Sequence, residues 1–116
     1  MSEVPEEMIC RACHEANRAL TGYIGDVPVQ PRWDDAPEEM KRSTLNGVRW
    51  RLANLDAPAS AQHDEWMRSK LADGWKHGLM KDVEKKTHPA LIPYNQLRDD
   101  VKLKDVVFAA IVRSLA

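Results

Sequence analysis

The sequence predicts a mainly α-helical fold: a compact four-helix domain with a small irregular β-hairpin between the third and last helices. Three observations carry this. The chain has 116 residues, enough for one domain at roughly 100–200 residues each. Four segments place apolar residues at helical spacing, three of them opening on a proline. Between Trp75 and Leu97 that period disappears, and Pro89 and Pro93 bracket a short apolar piece.

The first helix is expected from Pro5 to about Leu20. Glu6 and Glu7 complement its positive end, and Gly22 is the expected stop. Its apolar stripe is Val4, Met8, Ile9, Ala12, Cys13, Ala16, Ala19, Leu20 and Tyr23. Pro28 and Pro31 mark an extended connection that delivers Trp33 ahead of a second helix. That helix starts at Pro37, with Glu38 and Glu39 in its first turn. Met40, Thr44, Val48, Leu52 and Leu55 share one face. Asp56 and Pro58 lead into the third helix, which aligns His63, Trp66, Met67, Lys70 and Leu71 and stops near Gly74. The last helix, about Val101 to Ala116, is expected to bury Leu103, Val106, Val107, Ala110, Ile111 and Leu115.

Composition narrows the function. With 17 Lys+Arg against 18 Asp+Glu the formal charge is −1, which argues against a nucleic acid polymer or an anionic membrane as partner. The longest apolar run, Val106 to Val112, falls far short of the ~20 residues of a membrane span. The start carries Ser2, Glu3, Glu6 and Glu7 where a signal peptide would be basic and then apolar. A cytoplasmic, unprocessed protein is expected. Four of seven aromatics are Trp (Trp33, Trp50, Trp66, Trp75), a residue whose ring favours half-wet boundaries and ligand contacts.

Several strings invite a catalytic or metal reading and fall short of it. Cys10-x-x-Cys13-His14 matches the haem-attachment spacing but lies inside a predicted helix with Cys13 on its apolar stripe. A zinc site from those three residues lacks a fourth ligand nearby, so two reduced cysteines packing as small hydrophobes is the expectation. His14-Glu15-Ala16-Asn17-Arg18 has Arg where a zinc-protease helix needs its second histidine. His63-Asp64-Glu65 has the H-x-E of zinc deaminases without the downstream cysteine pair. The five glycines are scattered singly, so no phosphate-cradling loop exists. No catalytic residue, metal site or cofactor is assigned.

One pattern is more specific. His63-x-x-Trp66, Gly74-Trp75-x-x-Gly78, Lys81-Asp82, Lys86-x-His88-Pro89 and Leu91-x-Pro93-Tyr94-x-x-Leu97 together closely resemble the ryanodine-receptor repeat domain, in its stand-alone bacterial or phage form. The resemblance covers about residues 56–116, leaving 1–55 as a helical extension of a single domain. His77 departs from the Tyr usual in the family. The resemblance implies a helical binding module rather than an enzyme or a channel. Its paired form in the channels accepts an adenine nucleotide, with the helix Trp stacking; the matching residue here is Trp66. A homodimer is expected by the same analogy, and a bacterial or phage-infected cytoplasm as the setting.

The expected ligand is therefore a small nucleotide or nucleotide-derived signal. The candidate ligand-binding residues are Trp66, Trp75, His63, Lys81, His88, Tyr94 and Arg68. An indole face stacks a flat base for ~1–3 kcal/mol, and Lys76, Lys81, Lys85, Lys86 and Arg68 supply nearby cations for phosphate. Each has a plainer role too: Trp66 shares a face with Met67 and Leu71 and serves equally as a core anchor, and the lysine run as a solvated loop. Trp50, between Arg49 and Arg51, reads as a boundary residue. The alternative function is a protein–protein adaptor using exposed Trp; a hydrolase or metal enzyme built on His63, Asp64 and His88 ranks last.

Overall fold

The computed structural model describes residues 4–116, so the N-terminal Ser2 and Glu3 lie outside the described residues. Among the described residues four helices form: α1 (Glu6–Ile24), α2 (Glu38–Ala53), α3 (Ala59–Ala72) and α4 (Asp99–Leu115). Pro5, Pro37 and Pro58 each stand immediately before a helix, in extended backbone that suits the entry. Paired acids follow in α1, α2 and α4, where they meet the positive dipole end. α1 runs past Gly22 and stops at Gly25, whose φ of 73° ends the helix as its N–H reaches Thr21 O.

The core joins α1, α2 and α4 through Ile9, Cys10, Cys13, Trp33, Val48 and Val112, with Leu52, Phe108 and Ile111 packed around them. Two helices bury a face rotated from the expected one. In α1 the buried line is Ile9, Cys10, Cys13, His14 and Thr21, while Met8 and Tyr23 face solvent. In α4 it is Ala109 and Val112, while Leu103, Val106 and Ala110 are exposed. In both cases polar side chains with specific partners turn inward, and apolar count alone misses them. Leu55 and Leu71 likewise face out.

The excursion between α3 and α4 contains two short strands, β1 (Lys76–His77) and β2 (Thr87–His88). They pair in parallel, not as the expected hairpin. The chain reverses twice. One reversal is a tight turn in which Asp82 and Thr87 exchange both backbone hydrogen bonds at 3.0 Å. β2 thus lies between that antiparallel bridge and parallel β1. Close approach makes this possible: a Cβ on Gly78 would stand 2.6 Å from Thr87 Cβ. Gly78→Ala is expected to cost about 1–3 kcal/mol, read as a lowered urea midpoint, because backbone must shift to relieve the overlap.

Candidate functional site

A cavity of about 260 Å³ opens between the four helices and the two connections. Its wall begins with the end of α3. Gly74, at φ 89°, closes a Schellman turn in which Trp75 N–H donates to Lys70 O and Gly74 N–H to Leu71 O. That turn folds Trp75 back over its own helix and sets Lys70 Nζ 4.7 Å from the indole centroid. Trp75 is buried, and its indole N–H has no hydrogen-bond partner.

Trp66 stands further up α3 and is half-buried. His63 stacks beside it at 5.5 Å and 29°, and His88 meets it edge-on at 5.0 Å. His63 is itself buried, donating from Nε2 to Ile92 O at 2.8 Å. His88 Nδ1 accepts the Ala90 N–H at 3.0 Å, which leaves the hydrogen on Nε2. Burial, reinforced by Lys81, Lys104 and Lys70, pulls the His88 pKa down to about 3. At neutral pH it is an uncharged donor.

The cations differ in their pairing. Lys104 is held by Asp26 at 2.9 Å. Lys70 and Lys81, by contrast, have no carboxylate within ion-pair distance among the described residues. Burial lowers the pKa of both.

The opposite wall comes from the first part of the chain. The His14-Glu15-x-x-Arg18 string of α1 is an anchor for the connection to α2. His14 donates to Pro31 O at 2.8 Å, Glu15 accepts the Trp33 N–H at 2.8 Å, and Arg18 donates to Gln30 O at 3.1 Å. Pinned this way, Gln30 lines the cavity, and its side-chain oxygen is buried without a partner. Both orphaned polar atoms among the described residues, one donor and one acceptor, thus belong to cavity-lining residues. Cys13 also reaches the lining, but Cys10 and Cys13 are core thiols whose pKa values burial pushes up to about 11 and about 12.

The structure brings together five of the expected residues: His63, Trp66, Trp75, Lys81 and His88 all line the cavity. Two lie elsewhere. Arg68 is exposed and pairs with Glu65. Tyr94 packs against His63 at 5.9 Å under Lys102, outside the lining. His77 is exposed on β1 and also outside it. Asp64 is exposed and does not join His63 and His88. Residues not singled out from sequence are Lys70, Gln30, Lys104 and Asp105. Lys70 carried a signal, since a lysine on the apolar face of a helix asks for an explanation; Gln30 carried none.

A family model for the RyR domain matches residues 36–113. The match takes in α2 as well as the segment from Asp56 onward, and leaves α1 and the anchored connection outside it. Ala36 to Arg113 spans well over half the chain, from the turn that buries Trp33 to the last turn of α4: this protein belongs to the RyR domain family.

Proposed function

We propose that the protein is a binding module whose cavity takes a small anionic nucleotide, or a signal derived from one. The observation that carries this is the pair Lys70 and Lys81, two half-buried lysines of the lining with no carboxylate within ion-pair distance among the described residues. Glu39 and Asp73 act on Lys70, and Asp26 on Lys81, only from further off. Partial burial of an ammonium group without an ion-pair partner is costly, and an anion in the cavity offsets the cost. The neighbouring groups suit a flat polar ligand. Trp66 offers an aromatic edge of the lining, Trp75 an unused donor, and Gln30 an unused acceptor. A volume of about 260 Å³ fits a compact ligand rather than a polymer.

The test is a titration with adenosine mono-, di- and cyclic phosphates, with adenosine as the uncharged control, followed by Trp fluorescence and thermal unfolding. Phosphate-bearing ligands are expected to quench saturably and raise Tm, with stabilisation of about 2.7 kcal/mol at a hundredfold excess over Kd. Adenosine should bind more weakly. Absence of saturable quenching and of any Tm shift across the panel at millimolar concentration overturns the reading.

The adaptor alternative has one feature in its favour, and it is not Trp. Trp33 and Trp75 are buried and Trp50 and Trp66 half-buried, whereas Leu79 and Met80 at the tip of the excursion are 92% and 76% exposed. An adaptor would therefore use that tip, and Leu79→Ser would abolish partner recovery while leaving nucleotide binding intact.

A further inference from the structure

The histidine beside Trp66 faces an acid across a short gap. His63 Nε2 lies 2.8 Å from Ile92 O, and a carbonyl oxygen only accepts, so Nε2 carries the hydrogen. In the neutral ring that leaves Nδ1 with a lone pair. Asp105 Oδ2 stands 3.7 Å from that atom, and the two side chains are only 4% and 17% exposed. With the carboxylate ionised and the imidazole neutral, two acceptors confront each other in an enclosed site. A proton on Oδ2 removes the conflict.

We propose that Asp105 holds a proton facing the Nδ1 lone pair of His63 and that this proton makes anion binding in the cavity pH-dependent, with Asp105 as a positioning residue acting through His63 on Trp66. The inference deepens the nucleotide reading and rests on it only for the identity of the anion. Both residues line the cavity. The His63 ring is stacked on Trp66, so a change at Nδ1 acts one ring away from the stacking surface. An anion arriving there adds negative charge beside Asp105 and strengthens the hold on the proton.

The charged groups facing Asp105 come from every neighbouring element. Arg51 of α2 and Lys104 of α4 favour the carboxylate, and Asp64 of α3 opposes it. Tyr94 lies against His63, and burial, helped by the charge of Asp105, raises its pKa. Burial outweighs them all and pushes the Asp105 pKa up to about 7. The sign follows: the folded chain holds this proton where the unfolded chain has lost it. Its contribution is therefore full below about pH 4 and is lost as pH rises through about 7.

The experiment uses the full chain and Asp105→Asn, whose amide keeps the shape and cannot titrate. Without ligand, the His63 ring signals are followed by NMR from pH 5 to 9. Wild type should show a transition near pH 7 that is missing in Asp105→Asn. The variant should also gain stability over wild type as pH rises from 4.5 to 7.5, a difference in which the His88 contribution cancels. With adenosine monophosphate as probe, wild-type affinity should fall about tenfold between pH 6 and 8, and the variant should stay level. Wild-type His63 signals that are flat across pH 7, or AMP affinity equally pH-dependent in the variant, overturn the proposal. Should the variant not fold, the wild-type titration alone decides. If AMP does not bind while the ligand-free transition appears, the nucleotide reading fails and the Asp105 proton stands.

Discussion

Arg51→Ala is expected to lower folding stability by about 3–5 kcal/mol, the range for stripping a buried charged group of its network. Arg51 has no exposed surface at all. Its Nε donates to Gln62 Oε1 at 2.9 Å, and its two terminal nitrogens donate to the carbonyl oxygens of Asn54, Leu55, Ala57 and Pro58. One guanidinium thereby closes the whole turn between α2 and α3, at the negative end of the α2 dipole. Alanine leaves a void and several buried carbonyls unmet, each costing ~1–3 kcal/mol where water cannot reach it. Arg51→Lys should recover less than half of the loss, because an ammonium cannot fork across five acceptors. Urea denaturation at unchanged m-value is the check. A loss under about 1 kcal/mol in Arg51→Ala would show that water replaces the guanidinium and that the turn holds by itself.

Removing the two unpaired cations should move stability and binding in opposite directions. In Lys70→Met/Lys81→Met, side-chain length is kept and the desolvated charges go. The sign follows from the lysines themselves: burial lowers their pKa, so at pH 7 the folded chain holds those protons less favourably than the unfolded chain. Their loss is expected to stabilise by about 1 kcal/mol, or a Tm gain of about 4 °C for a chain near this size. The gain is tempered by the Lys70–Trp75 contact at 4.7 Å, a cation–π pair worth ~0.5–1 kcal/mol. Phosphate-bearing ligands should lose at least about tenfold in affinity per lysine, since hydrogen bonds to charged groups are worth ~1.5–3 kcal/mol. A double variant that is less stable and binds as well as wild type would make the lysines structural and remove them from the anion site.

Local chemistry made the helix starts legible. Pro5, Pro37 and Pro58, followed by acids in α1 and α2, act within one turn of chain and need no tertiary partner. Buried faces depend on distant partners, and there the sequence misled. His14 is buried because Pro31 O waits for it, and Arg51 because four carbonyls do. Neither side chain looks like core. The same holds for α4, where Asp105 turns inward towards His63 and Leu103 outward. In the candidate site, the residues of the motif on α3 and in the excursion after it were legible: His63, Trp66, Trp75, Lys81 and His88 line one cavity. Gln30 and Asp105 join it only through folding, from positions 33 and 42 residues away from His63 in the chain. The parallel pairing of β1 and β2 was equally hidden, since it needs two reversals that no turn residue announces.

In the proposed site, Trp66 and Trp75 face a ligand across the cavity that Lys70 and Lys81 make attractive to an anion. The four indole N–H signals in a proton–nitrogen correlation spectrum report on it residue by residue. On titration with adenosine monophosphate, the Trp66 and Trp75 signals should shift saturably with one common Kd, and Trp75 should move downfield as its unused donor finds an acceptor. Trp33, in the core, and Trp50, beside Arg51, should stay in place. Unmoved Trp66 and Trp75 signals at saturating nucleotide, or shifts confined to Trp33 and Trp50, would contradict the assignment of this cavity as the site.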